Sequence, residues 1–125
     1  MKGNNLVVLR GHLGSDPEAR DLPSGKKVEL NLATNSHWRD SEGHWKERTD
    51  WHRIDIHGPR ADWAQRALRR GDHVLVFGAL RPRTWQQPDG TQRSTVVVRA
   101  WEVQCLTSRQ PPARRSAARE MDASR

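Results

Sequence analysis

Apolar and polar residues alternate strictly in two stretches of this chain. Val28, Leu30 and Leu32 are separated by Glu29 and Asn31, and His52, Ile54 and Ile56 by Arg53 and Asp55. A period of 2 marks a strand with one buried face. Leu6-Val7-Val8-Leu9 is a shorter apolar run that ends at Gly11, and His73 to Leu80 and Ser94 to Leu106 complete the strand-like segments. The strand pattern after Leu80 continues to Trp85, and Pro88-Asp89-Gly90-Thr91 then predicts a hairpin turn. Gly14-Ser15-Asp16-Pro17 and Pro23-Ser24-Gly25 are further turn signals. Asn35 to Thr49 is polar and reads as a long exposed loop. Only one segment has helical spacing. Pro59 suits a first helical turn, Ala61, Ala64 and Leu68 form one stripe, and Gly71 stops it.

The predicted order is three strands, a helix and a two-strand hairpin. One helix cannot supply the crossovers of a parallel sheet. The pattern predicts an all-β fold: a five-stranded antiparallel OB-fold barrel, with the helix between strands three and four plugging one end. Composition changes near Thr107. The segment 107–125 holds Pro111 and Pro112, five arginines against Glu120 and Asp122, and Met121 as its one large apolar residue. It is expected to be a disordered basic tail, which leaves 1–106 as one domain.

The 125 residues carry a net charge of +7, and hydrophobic residues make up 34%. Even with the 9 glycines added, that share falls short of the roughly 45–50% of ordinary globular domains. A thin core, helped by a partner subunit, is expected. No run reaches the roughly 18 apolar residues of a membrane span, and the first residues carry no secretory signal. The single Cys105 excludes an intrachain disulfide and a cysteine zinc site, and suits a reducing cytoplasm.

The aromatic set is 6 Trp, 1 Phe and no Tyr. Trp51, Arg53, Asp55 and His57 share the solvent face of the third strand, away from Ile54 and Ile56. A base can stack on Trp51 while Arg53 meets the neighbouring phosphate. Arg81, Arg83 and Trp85 share one parity in a second strand. Trp38-Arg39 and Trp45-Lys46 repeat the pairing in the loop. Aromatic and basic residues interleaved in three segments are what a groove for a single nucleic-acid strand requires. Trp63 is expected to cover the barrel end, and Trp101 is read as structural.

Six histidines raise the question of a metal. His52 and His57 lie on opposite strand faces. His37 and His44 could meet, but no ligand spacing accompanies them. No metal and no cofactor are expected. There is no Gly-x-Ser-x-Gly and no phosphate-binding Gly-x-x-x-x-Gly-Lys run, so the chain does not read as an enzyme. The alternative is a small metal-dependent nuclease using His37, His44 or Asp50. An RNA-binding module stays open as well, because stacking platforms ignore the 2′-hydroxyl unless a group reads it. If every indole were buried, the chain would bind no better than any basic protein.

Several runs resemble bacterial-type single-stranded DNA-binding proteins. They are Gly11-His12-Leu13-Gly14-Ser15-Asp16-Pro17, Leu32-Ala33-Thr34 with Trp38, Glu47-Arg48-Thr49-Asp50-Trp51-His52-Arg53, Leu68-Arg69-Arg70-Gly71-Asp72 and Gly78-Ala79-Leu80-Arg81-Pro82-Arg83-Thr84-Trp85. The resemblance spans residues 3–106. It implies a homotetramer that wraps single-stranded DNA in replication, recombination or repair, with Trp38, Trp51 and Trp85 as stacking residues. It also implies that His57 stands where a fourth aromatic, usually Phe, stacks, and that His52 lies at a subunit contact. A protonated His57 would contact phosphate and make binding pH-sensitive. Arg10 replaces a usual apolar residue, which a slipped register or bulge near Gly11 would explain. The basic tail lacks the family's acidic tip, so recruitment of repair enzymes through such a tip is not expected, and added phosphate contacts are. A primosome-type OB protein that contacts replication proteins is the alternative within this fold.

Overall fold

The computed structural model describes residues 3–108; the tail expectation for 107–125 lies, beyond Ser108, outside them. The elements are β1 (Val7–Leu13), β2 (Glu18–Leu22), β3 (Gly25–Arg39), β4 (Trp45–His57), α1 (Pro59–Ala67), β5 (His73–Gln86) and β6 (Gln92–Cys105). They form one sheet in the order β1-β5-β6-β4-β3-β2, closed by an additional β1–β3 pairing. The closed part is a five-strand barrel of β1, β3, β4, β5 and β6, and one helix lies between its third and fourth strands. This is the expected OB arrangement. β2 is a short antiparallel flap on β3, running from Glu18↔Glu29 to Leu22↔Gly25.

The barrel departs from a purely antiparallel pattern at one seam. β4 and β6 run parallel at Ile54↔Val98 and Asp55↔Arg99. α1 and β5 together carry the chain back across the barrel, so one helix suffices for a single parallel seam. The second departure is the polar stretch 35–49. It is no loop: β3 and β4 stay paired without a break from Lys27↔His57 to Arg39↔Trp45. Their ribbon projects beyond the barrel, where neither face needs to be apolar, so hydrophobic alternation fades while the ladder continues.

Closure depends on Gly11. β1 pairs with β5 along its length and then reaches β3 at His12↔Ala33 and Leu13↔Leu32. A Cβ on Gly11 would run into the carbonyl of Ala33, so a side chain there would hold the strands apart. No slip explains Arg10. The β1–β5 register is continuous from Val7↔Gly78 to His12↔His73, and Arg10 points outward with Val8 and His12, all exposed.

The core is aliphatic. Leu30, Leu32, Ile54, Ile56, Val28, Val74 and Val76 are its largest fully enclosed side chains. α1 seals one end with Ala61, Ala64 and the following Leu68, all buried, as their stripe predicts, and Trp63 packs partly buried beside them. Lys26 ties the helix to β3 by bonds of 2.8 Å to Gln65 Oε1 and Asp62 Oδ1. Two of the sequence motifs form one junction. Leu13 N–H donates to Asp72 O at 2.9 Å, Gly71 N–H to Leu13 O at 2.8 Å, and Arg70 N–H to Asp16 Oδ1 at 2.8 Å.

Candidate nucleic-acid interface

Strand alternation places Trp51, Arg53, Asp55 and His57 on the outer face of β4, opposite Ala33, Asn31, Glu29 and Lys27 of β3. Trp51 is 63% exposed. One edge of its indole lies over Gly14, where an added Cβ would occupy the space of the ring. The turn after β1 thus supports the platform from below and leaves the ring open to solvent.

Next to Trp51 lies a charged cluster that the sequence pattern did not suggest. Glu29 and Asp55 are buried at 6% and 4% exposure. Arg53 Nη2 donates to Glu29 Oε2, and Arg20 Nε donates to Glu29 Oε1 at 2.9 Å. Lys27 Nζ lies 3.4 Å from Glu29 Oε2 and 3.9 Å from Asp55 Oδ2. Arg83 reaches over from β5, with Nη1 3.6 Å from Glu29 Oε2 and Nη2 3.6 Å from Asp55 Oδ2. Four cations surround two carboxylates. The acids lie beneath and the guanidinium groups of Arg53 and Arg83 remain partly open, so the patch presents net positive charge with its donors held in place. Preorganised donors lose less freedom when an anion arrives.

Electrostatics follow from this packing. Burial opposes the charged form of Glu29, but the Arg53 hydrogen bond and the charges of Arg53, Lys27 and Arg20 outweigh it. The carboxyl is held at about 2 against an ordinary 4.5. A depressed carboxyl contributes stability that is complete above the unfolded value and is lost as pH falls through the folded one. Between pH 4.5 and about 2 the fold is therefore expected to lose about 1–3 kcal/mol through this group, allowing for screening on the outer face. Thermal melts over that range check it, and Glu29→Gln should flatten the acid limb.

His57 differs from expectation. Its pKa lies below the ordinary 6.5, because burial and the charges of Arg99, Lys27 and Arg83 outweigh the pull of Asp55. At neutral pH the ring is neutral, so the imidazolium–phosphate contact is not what this environment favours. Its Nδ1 is buried without a hydrogen-bond partner among the described residues.

The remaining expected residues divide between two regions. Arg81, Arg83 and Trp85 keep one face through the unbroken register Arg81↔Val97, Arg83↔Thr95 and Trp85↔Arg93. Arg83 joins the Glu29 cluster, whereas Arg81 faces a separate hollow with Arg99 and Trp101. Trp38 and Trp85 are each 45% exposed. Trp38 pairs with Lys46, so alternation puts it on the opposite ribbon face from Trp51. Trp45 shares the Trp51 parity, with Arg39 Cζ stacked 5.0 Å from its ring centroid. His52 is half-buried and its Nε2 lies 2.9 Å from Thr34 Oγ1. His37 faces Glu47 at 3.8 Å, and His44 lies within 3.8 Å of Asp40 and Glu42. Asp50 receives Arg48 Nε at 2.8 Å. Among the described residues, no three His, Cys, Asp or Glu side chains group as metal ligands would.

Sequence reasoning missed Glu29, Lys27 and Arg20, and Trp101, read there as structural, is 57% exposed. Glu29 was visible as the polar position between Val28 and Leu30, but apart from Lys27 on its own strand its partners come from β2, β4 and β5 and share no local spacing.

An OB barrel whose open indoles alternate with fixed guanidinium groups defines the class of OB-fold binders of single nucleic-acid strands. Comparison with known proteins narrows the class. The chain belongs to the single-strand binding protein family, whose model matches residues 4–106. Its structure is similar to that of the SSB of Plasmodium falciparum in complex with ssDNA, with a TM-score of 0.78 at 31% identity over 86% of this chain and 98% of that one. It is also similar to a deletion mutant of the single-stranded DNA binding protein from Thermus aquaticus, with a TM-score of 0.76 at 32% identity. That match covers 86% of this chain and 52% of the other. Among the described residues, no helix is long and apolar enough to cross a membrane.

The seat of Trp51 yields a prediction. Gly14→Ala places a methyl where the indole edge lies and forces the ring aside. Single-strand affinity is expected to fall by up to the roughly 1–3 kcal/mol of one stacking contact, with stability changed by less than about 1 kcal/mol because the displaced ring is exposed. Oligonucleotide anisotropy beside a thermal melt separates the two effects.

Proposed function

We propose that this protein binds single-stranded DNA without sequence preference and without chemistry, holding it during replication, recombination or repair. The observation that carries the reading is the exposure of Trp38, Trp51 and Trp85 alongside Arg53, Arg81 and Arg83. Bases stack on the indoles and phosphates meet the guanidinium groups. Every base has a π-face, so stacking is sequence-tolerant, and phosphate contact carries no sequence information.

The assembly proposed is a homotetramer in the cytoplasm, with His52 near a subunit contact. Support comes from β1. Among the described residues its first half pairs with β5 alone, leaving the other edge open, and Leu6 and Val8 are 64% and 50% exposed. An open apolar edge strand is a ready template for a second copy.

The test is a titration of intrinsic tryptophan fluorescence with a thymidine homopolymer, with duplex DNA as control, at low and high salt. Strong quenching by the single strand is expected to persist at high salt. Log affinity should fall with log salt at about −0.7 per phosphate neutralised. Weak quenching that is equal for duplex and abolished by salt would sink the reading, because charge alone would then be binding.

A further inference from the structure

Trp101 occupies a distinctive place in the barrel. Along the β5–β6 ladder Gly78 pairs with Ala100 and Phe77 with Glu102, so Trp101 is the extra residue of a β-bulge. Bulges re-aim side chains and concentrate beside functional sites. This one needs Gly78, whose added Cβ would meet the backbone of Arg99 and Ala100. The ladder interruption thus turns an indole outward, 57% exposed, where an unbroken register would have paired it with Phe77.

The surroundings of Trp101 are cationic. With Ala79 and Ala100, its ring and the side chains of Arg81 and Arg99 line an open hollow of about 230 Å³. Both arginines are exposed. Arg53 and Arg83 are tied to Glu29 and Asp55, whereas Arg81 and Arg99 form no ion pair among the described residues. On the other flank Arg60 is committed to Glu102 and stacks on Trp63.

The hollow also continues the interface already described. Arg81 lies two residues from Arg83 on one face of β5. Arg99 stands opposite Asp55 in the parallel seam, and its charge reaches His57. An aromatic face between two unengaged guanidinium groups matches a nucleotide, with its flat base and flanking phosphates. Within this hollow the only apolar neighbours of the ring are the small Ala79 and Ala100, and Arg81 and Arg99 complete the lining.

We propose that Trp101, with Arg81 and Arg99, forms a further stacking subsite that extends the path of the same single strand past His57. The inference rests on the single-stranded DNA reading and adds a residue to it. The strand leaves the Glu29–Asp55 cluster, crosses the β4–β6 seam and places a base on Trp101.

The experiment uses the full chain and labelled thymidine homopolymers of increasing length, measuring affinity, nucleotides occluded per chain and the mass of the DNA-free assembly. Wild type is measured first, and absence of single-strand-selective binding there fells both readings. With wild-type binding in hand, Trp101→Ala is expected to weaken binding of long strands roughly 5- to 100-fold and to shorten the occluded length. Trp101→Phe should retain most of both. Replacing Arg81 and Arg99 by Gln should flatten the salt slope by about 0.7 for each. Wild-type affinity and occluded length in Trp101→Ala would overturn the subsite and leave the main reading intact. A changed mass of the DNA-free Trp101→Ala assembly would overturn it too, by making the ring a subunit contact.

Discussion

Replacing Trp51 and Trp85 by Ala together is expected to weaken single-strand binding roughly 30- to 10⁴-fold and to leave the fold nearly as stable as before. Each stacking contact is worth about 1–3 kcal/mol by alanine substitution. The two rings stand on different strands and do not touch among the described contacts, so their effects should roughly add. Trp51 is 63% and Trp85 45% exposed, so neither fills core volume, and truncation at such positions typically changes stability by about 0.5 kcal/mol or less. Anisotropy of a labelled thymidine homopolymer gives the affinity, and a melt gives the stability. A double variant that binds as wild type would mean the strand follows another surface. A double variant that fails to fold would mean the rings are structural, against their exposure. Duplex binding, carried by charge alone, should hardly change.

Glu29→Gln is the second large effect, and it falls on the fold. The substitution keeps size and shape and removes one negative charge from the centre of Arg20, Lys27, Arg53 and Arg83. Among the described residues, Asp55 is then the sole carboxylate facing Lys27, Arg53 and Arg83. Removing this charge is expected to cost about 1–3 kcal/mol, as protonating it does, because Lys27 is left desolvated while Arg20, Arg53 and Arg83 stay partly open to water. That is an appreciable part of the roughly 5–15 kcal/mol of a whole domain. A lowered melting temperature is the readout, with a control built into the chemistry. Inorganic phosphate should stabilise Glu29→Gln more than wild type, because an anion can take over part of the carboxylate's role. Equal responses would show that the guanidinium groups do not converge as described. The same variant bears on binding. If the carboxylate holds Arg53 and Arg83 in place for phosphate, Glu29→Gln should bind DNA no more tightly than wild type despite its extra positive charge.

Legibility varied along the chain for physical reasons. Where a strand covers the core, as at Val28 to Leu32 and His52 to Ile56, one face is apolar and the period of 2 is plain. The helix was readable from Pro59, its apolar stripe and Gly71. Where the β3–β4 ribbon leaves the barrel, the backbone ladder from Asn35↔Thr49 to Arg39↔Trp45 continues with polar residues on both faces. Hydrogen bonding along a ribbon leaves no trace in side-chain polarity, so that stretch read as a loop. β2 was hidden for the same reason, since all five of its residues are exposed.

The site divides along the same line. Trp51, Arg53, Arg83 and Trp85 could be chosen from the chain because strand alternation and aromatic–basic spacing are local properties. The electrostatic setting of those residues is not local. Glu29 meets Arg20 across nine residues and Arg53 across twenty-four, and Arg83 comes from beyond the helix. His57 looked like a proton-carrying contact in the sequence, yet burial and three neighbouring cations keep it neutral. Trp101 looked structural because the chain gives no sign of a bulge, which appears only when β5 and β6 are laid side by side and one residue of β6 is left without a partner in the ladder. By itself the sequence determined the strands that line the core, the helix that seals it and the alternation of indoles with guanidinium groups, because each follows from near neighbours in the chain. Only the tertiary structure decided which charges meet, which indoles stay open and where the barrel closes, because those depend on side chains that become neighbours when distant strands pair.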